Sequence, residues 1–203
     1  MKNSVLAIFG LSFLLLFSSC ASNGTDSKKE AEKINEAKVD RARSADTVPE
    51  THNAMADLKP DADFAVSAAD GGMLEVQLGQ LAKKNGASGI IKSLGDMMER
   101  DHNVANKELK KSANDKNITL PDALSAKSQK KVQELTSKKG TEFDNAYVDL
   151  MISDLKDAIE DFRKEGASGN DTQISAWAKD KIPTLEHHLM MAEQAKKAID
   201  KKD

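Results

Sequence analysis

Residues 90–109 read IIKSLGDMMERDHNVANKEL, with apolar side chains recurring every three or four positions. This spacing is typical of one face of an α-helix. The predicted buried face comprises Met97, Met98, Val104 and Ala105. Asp101 falls inside that face and His102 lies at its edge. Because a buried carboxylate is costly without a partner, the remaining helices are expected to supply one.

Four long helices are predicted, at residues 61–85, 87–114, 141–165 and 171–201, with a short one near 124–137. Glycines separate the four long segments, and apolar residues follow the helical period within each of them. Aromatic residues make up only 4% of the chain, and β-branched residues are sparse, which argues against strands. The sequence therefore predicts an all-α bundle.

The connection between the second and third long helices is much longer than the other two. It covers about residues 116–140, whereas antiparallel neighbours in a bundle usually need only a short loop. We therefore expect the second and third helices to run parallel, joined by a crossover along the bundle.

Each long helix carries one ionisable residue within its apolar stripe, near its midpoint. In chain order these residues are Glu75, Asp101, Asp154 and His188. Helices of similar length packed side by side bring their midpoints to one level. The four side chains are therefore expected to meet in one buried layer, with His102 nearby and Tyr147 behind it.

Two explanations of this layer follow from its chemistry. Three acids and one or two histidines contain too little positive charge for mutual neutralisation, and a divalent Mn, Fe or Zn ion would balance them. The predicted metal ligands are Glu75, Asp101, His102, Asp154 and His188. Alternatively, Asp101 or Asp154 pairs with His188 and Tyr147 in a metal-free polar network that fixes helix register.

The N-terminus resembles a bacterial lipoprotein signal. Lys2 precedes an apolar run at 5–17, two serines follow, and the chain's only cysteine is Cys20. The resemblance implies a signal peptide at residues 1–19 and a lipid on Cys20. The alternative is an ordinary secretory signal with an incidental thiol. We expect an exported protein anchored in the cell envelope, at the outer membrane and facing the periplasm.

Residues 20–60 are dense in Lys, Glu, Asp and Ala and are predicted to form a charged, solvated tether before a domain at 61–203. Removing residues 1–19 takes away one lysine and changes the formal net charge from −3 to −4. This balance leaves no basic surface of the size that nucleic acids require. The expected partner is the membrane, reached through Cys20, and no protein partner is indicated.

Four segments together resemble a known family. They are FAVSAADGGMLEVQLGQLA (64–82), MMERDHNVANKEL (97–109), FDNAYVDLMISDLKDAIEDF (143–162) and IPTLEHHLMMAEQA (182–195). They look like the bacterial envelope family known as domain of unknown function 4142. The resemblance implies a ferritin-like four-helix bundle and no known activity. The family commonly has Asp-His in the third helix, where this chain has Asp154-Leu155.

A ferritin-like bundle invites comparison with di-iron sites, which use a Glu on two helices and Glu-x-x-His on the other two. Glu99 does precede His102 by three residues, but it projects away from the apolar face. The fourth helix has Leu185 in the corresponding place before His188. An enzyme is therefore not predicted. The two functions left open are an anchored metal-binding protein and a cofactor-free structural or partner-binding protein.

Overall fold

A computed structural model describes residues 26–44 and 58–201. Six helices lie within these ranges: α1 (Ser27–Ser44), α2 (Lys59–Asn85), α3 (Gly89–Asp115), α4 (Ala126–Thr136), α5 (Gly140–Ser168) and α6 (Thr172–Asp200). The described residues contain no strand, and one isolated bridge joins Gly86 to Gly140. The all-α prediction is confirmed, and the five helices predicted from the sequence all form.

The path of the chain follows from contacts at the helix ends. The bridge between Gly86 and Gly140 puts the start of α5 beside the end of α2. The Asp171 backbone N–H donates to Asp61 Oδ1 at 2.8 Å, which puts the start of α6 beside the start of α2. Helices α3 and α5 therefore run parallel, and the crossover between them returns along the bundle, as expected. The relationship to ferritins itself remains a prediction.

Glycines bring α2 and α3 into close contact. A Cβ atom added at Gly79 would lie 2.5 Å from the Gly95 carbonyl oxygen, so the two backbones meet where neither has a side chain. Gly72 is similarly close to the Asn106 side chain. Gly71 differs, because a Cβ atom there would meet nothing within 4 Å. This open space adjoins the cleft described below.

A buried aspartate fastens the crossover to α2. Asp70 accepts hydrogen bonds from the Ser125 N–H at 2.7 Å, the Ser125 hydroxyl at 2.8 Å and the Ser128 hydroxyl at 2.7 Å. Ser125 in turn caps α4 by accepting from the Ser128 N–H. These bonds fix α4 beside the middle of the bundle.

The predicted tether is partly folded. Helix α1 buries Ala31 and Val39, and Asn35 exchanges two hydrogen bonds with the Thr119 backbone, at 2.9 and 2.7 Å. Residues 27–44 are therefore not a solvated linker. Although most side chains of α1 are charged or polar, its buried apolar residues and the Asn35 amide are sufficient to hold it against the crossover. Residues 20–25 and 45–57 of the predicted tether lie outside the described residues.

The buried face of α3 differs from the predicted one. Met98 is fully buried, whereas Val104 is 52% exposed. The position one turn after Met98 is taken by His102, which is only 6% exposed. Because helix positions four residues apart share a face, the stripe continues from Met98 to His102 and leaves Val104 outside it. The histidine therefore occupies a core position rather than the edge.

Candidate functional site

The first element of the candidate site is a buried ion pair between α2 and α3. His102 Nδ1 lies 2.9 Å from Glu75 Oε2, and the two side chains are 8% and 7% exposed. Because a carboxylate only accepts, the hydrogen of this bond is on Nδ1. Burial lowers the pKa of His102, but the charges of Glu75 and Asp101 outweigh burial and leave the pKa above its ordinary value.

The second element joins α3 to α6. His188 Nε2 lies 3.1 Å from Asp101 Oδ2, with the histidine 1% and the aspartate 28% exposed. Arg100 Nε also donates to Asp101 Oδ1 at 2.9 Å. Burial raises the pKa of Asp101, but the bonds from His188 and Arg100 bring it below its ordinary value. Burial lowers the pKa of His188, and the neighbouring His102 lowers it further, against the opposing effect of Asp101.

The two histidine rings connect the pairs into one network. Their centroids are 5.2 Å apart, and the ring planes are tilted by 49°. His102 Nε2 and His188 Nδ1 are both buried, and neither has a hydrogen-bond partner in the described part of the chain. Buried polar atoms in native proteins nearly always have partners, including ordered water, so water or a ligand in contact with the two rings would satisfy these nitrogens.

Asp154 makes no hydrogen bond with the other predicted site residues, although Glu75 is close enough to raise its pKa. Both of its oxygens accept from Lys131 Nζ, at 2.7 and 2.8 Å. Burial raises the pKa of Asp154, and the bonds from Lys131 only partly oppose this. The expectation of one layer is therefore met by Glu75, Asp101, His102 and His188, with Asp154 instead paired to the crossover helix.

Lys131 was missed by sequence reasoning, which considered only the four long helices. The feature of the sequence that could have revealed Lys131 is its position in α4. It lies three residues after the buried Ser128 and four before the buried Leu135, on the same face of the helix. With Lys131 and Arg100 in place, each carboxylate of the predicted layer faces a basic side chain or an imidazole. The charge imbalance that favoured a metal ion is thereby removed.

Tyr147 is fully buried on α5, behind the network. Its hydroxyl has no hydrogen-bond partner among residues 26–44 and 58–201, so the predicted bonds from Tyr147 to the histidine or the aspartates are not formed. Burial and the negative charge of Glu75 raise the pKa of Tyr147 well above its ordinary value. The phenol therefore remains protonated at all physiological pH values.

A cleft of about 740 Å³ opens onto the network. Both histidines line it, together with the carboxylates of the predicted layer (Glu75, Asp101 and Asp154). Gly71 and the rings of Phe64, Phe162 and Trp177 also line it. The three rings contact each other, with centroids 5.0 to 6.3 Å apart. Eight acidic side chains and five lysines line the cleft in total. Its size is in the range of sites for organic ligands.

The described residues contain no group of three or more His, Cys, Asp or Glu side chains arranged to hold a metal ion. A di-metal centre of the ferritin type does not fit these residues, since Glu99 faces Lys83 at 2.6 Å rather than His102. The atoms left for a single ion are the two free imidazole nitrogens.

A second acidic cluster, also missed by sequence reasoning, lies where α2 and α6 begin and α5 ends. Asp61, Glu165 and Asp171 are all buried there, and Lys116 Nζ lies 2.6 Å from Asp171 Oδ2. Burial and the adjacent Asp61 carboxylate raise the pKa of Glu165 to about 8. Glu165 therefore carries a proton at neutral pH.

Within residues 26–44 and 58–201, none of the helices has the length and apolar character needed to cross a membrane. Cys20 and the predicted signal peptide lie outside the described residues, so the lipid anchor remains a prediction.

Comparison with known sequences gives one result. A sequence model described as "Domain of unknown function (DUF4142)" matches residues 46–195, which confirms the resemblance drawn from the four helical segments. No curated protein and no solved structure matches the chain.

Proposed function

Because the chain belongs to the family described as domain of unknown function DUF4142, which brings no activity with it, we propose a function from the site itself. The protein is an exported binding protein, not an enzyme, that takes a small ligand into the cleft between its long helices. The observation that carries this proposal is the pair of buried, unpartnered nitrogens, His102 Nε2 and His188 Nδ1, on residues lining that cleft.

A purely structural network would not account for these atoms. Glu75 and Asp101 each hold one nitrogen of a histidine, which is sufficient to fix the register of α2, α3 and α6. Leaving the second nitrogen of both rings buried without a partner costs about 1–3 kcal/mol for each. A ligand in the cleft that bonds to these nitrogens would recover that free energy.

No cofactor is required to hold the network together. Glu75 faces His102, Asp101 faces His188 and Arg100, and Asp154 faces Lys131. Because a basic side chain or an imidazole contacts each of these three carboxylates, the network is preorganised before any ligand arrives.

Native mass spectrometry of the full chain, purified gently from its own host, tests this proposal. We expect a bound small molecule in the wild type. Gly71→Leu should lose it, because the new side chain enters open space beside the cleft. Gly89→Leu is the matched control, since its Cβ also meets nothing within 4 Å but Gly89 does not line the cleft. Wild-type protein without any bound molecule, or equal loss in both variants, would refute the proposal.

The anchor is a separate part of the proposal and has its own test. A lipid on Cys20 would retain the protein in the membrane fraction, and Cys20→Ser should release it to the soluble fraction. The sequence before Cys20, an apolar run followed by two serines, supports this part. Unchanged fractionation of the variant would eliminate the lipoprotein assignment without affecting the cleft.

A single metal ion is the second candidate, favoured by how the imidazoles are held. Histidines that ligate metals typically donate their other N–H to a carboxylate, as His102 and His188 both do. Elemental analysis of protein purified without chelator or affinity metal distinguishes the candidates. Stoichiometric Mn, Fe or Zn, lost in His188→Gln, would support the ion, whereas metal-free protein that retains an organic molecule would exclude it.

A further inference from the structure

The two ends of the cleft have different chemistry. His188 and Trp177 both line it and lie eleven residues apart on α6, which corresponds to about 16 Å along the helix axis. The histidine end is polar and deeply buried. The other end consists of the rings of Phe64, Phe162 and Trp177, which pack edge to face or tilted against each other, and its polar ring atom is Trp177 Nε1, which is buried and has no partner in the described residues. A ligand that uses both ends must be elongated and amphipathic.

The polar end calls for a hydrogen-bond donor. His188 directs Nε2 to the Asp101 carboxylate, which can only accept, so Nε2 carries the hydrogen. The other nitrogen of the neutral ring, Nδ1, is therefore a lone-pair acceptor, and it is buried with no partner in residues 26–44 and 58–201. A ligand head group that donates a hydrogen bond would satisfy Nδ1.

The charges along the cleft argue against an anionic head group. Acidic side chains outnumber lysines there by eight to five. Two of the acids, Asp157 and Asp161, make no salt bridge in the described part of the chain and follow Asp154 along the same face of α5. A carboxylate or phosphate ligand would be repelled, whereas an uncharged or cationic head group would not.

We propose that the cleft binds an elongated amphiphile whose head group, an alcohol or an amine, donates a hydrogen bond to His188 and whose apolar body extends to Trp177. This assignment rests on the proposed binding function and specifies the chemical class of its ligand. The amine and the alcohol share the donor that His188 requires, and the probes below separate them.

Four probes with the same twelve-carbon chain test the head group: dodecanol, dodecylamine, dodecanoate and dodecyl methyl ether. Calorimetric titration of the full chain, below the solubility limit or the micelle concentration of each probe, gives the affinities. We expect binding of the alcohol or the amine, with the carboxylate and the ether at least tenfold weaker. Equal binding of the ether, which accepts but does not donate, would overturn the role of His188, and stronger binding of dodecanoate would overturn the charge argument.

The length of the ligand is tested with butanol, octanol and dodecanol. Affinity should rise about fourfold for each buried methylene. Trp177 is the only tryptophan in the chain and lies at the far end, so its fluorescence should change with dodecanol and not with butanol. The variant Gly71→Leu should abolish both effects and Gly89→Leu should leave them unchanged. A response of Trp177 to butanol, or no dependence on chain length, would overturn the elongated binding mode.

These experiments distinguish an error in the class of ligand from an error in the proposed binding function. If native mass spectrometry finds a bound molecule that lacks a donor head group, the inference is wrong and the binding function remains. If no molecule is found, the proposed function is wrong, and the inference that rests on it fails as well.

Discussion

His188 on α6 and Asp101 on α3 are joined by a 3.1 Å hydrogen bond between Nε2 and Oδ2, although they are 87 residues apart in the chain. The bond is one of the polar links between the two helix pairs of the bundle, and it involves a histidine that is only 1% exposed. It fixes the tautomer of His188 and directs its remaining nitrogen away from Asp101. The stability of the bundle and the chemistry of the cleft therefore depend on the same contact.

Removing Asp101 should destabilise the protein. In Asp101→Ala the buried Nε2–H of His188 loses its acceptor, which should lower the free energy of unfolding by about 1–3 kcal/mol. Urea unfolding of the full chain measures the change. Asp96→Ala on the same helix is the control, because its side chain is 62% exposed and its ion pair with Lys83 is a surface one. A loss in Asp96→Ala as large as that in Asp101→Ala would contradict the assigned role.

Lys131 should contribute stability that depends on pH. In Lys131→Met the partly buried Asp154 carboxylate loses its partner, and its pKa, already raised, rises further. The unfolded chain keeps the ordinary value of 3.8, so the variant loses stability as the pH rises above about 4. We expect a loss of about 1–2 kcal/mol at pH 7 and a smaller one at pH 4.

The neighbouring lysine provides the control for this measurement. Lys130 is 77% exposed and lies 3.8 Å from Glu134, so Lys130→Met should change stability by less than about 0.5 kcal/mol at either pH. If Lys131→Met loses as much stability at pH 4 as at pH 7, the ion pair with Asp154 is not the cause.

Most of the fold follows from apolar periodicity and from glycine positions. The boundary glycines and the 3.6-residue period were sufficient to place the four long helices, and the length of the connection indicated parallel α3 and α5. The same helical period also predicted that Glu75 and His188 would be buried. Docking of α1 could not be predicted in this way, because it depends on Asn35 contacting the Thr119 backbone, 84 residues away.

The site was predicted less completely than the fold, for physical reasons. A helical wheel gives the direction of each side chain but not the helix that lies opposite. The wheel therefore could not show that Asp154 would face Lys131 of the crossover. The helical wheel also placed His102 at the edge of the apolar face. It could not show how α3 is rotated in the bundle, where Gly95 contacts Gly79 and His102 is buried.

Two glycines of α2 should respond oppositely to the same substitution. At Gly71 a Cβ atom enters open space, so Gly71→Ala should raise the free energy of unfolding by about 0.5–1 kcal/mol through helix propensity. At Gly79 the added atom would lie 2.5 Å from the Gly95 carbonyl oxygen, and Gly79→Ala should cost about 1–3 kcal/mol. Thermal and urea unfolding measure both changes. Equal effects of the two substitutions would contradict the described packing of α2 on α3.

Glu165 should make the protein less stable as the pH rises through the neutral range. Its pKa is about 8 in the folded protein, because of burial and the Asp61 carboxylate, and near 4.5 in the unfolded chain. Between these values the folded state binds more protons than the unfolded state, so the free energy of unfolding falls with increasing pH. Glu165→Gln keeps the shape and the donor of the protonated acid and removes the titration.

The variant should therefore match the wild type at pH 4 and exceed it by about 1–3 kcal/mol at pH 8 and above. Glu160→Gln, an exposed position on the same helix, is the control and should show no such divergence. Urea unfolding of the three proteins at several pH values measures the effect. If the free energies of unfolding of Glu165→Gln and the wild type differ by the same amount at every pH, Glu165 does not titrate between pH 4.5 and 8. Its carboxyl group would then be ionised in the folded protein beside Asp61.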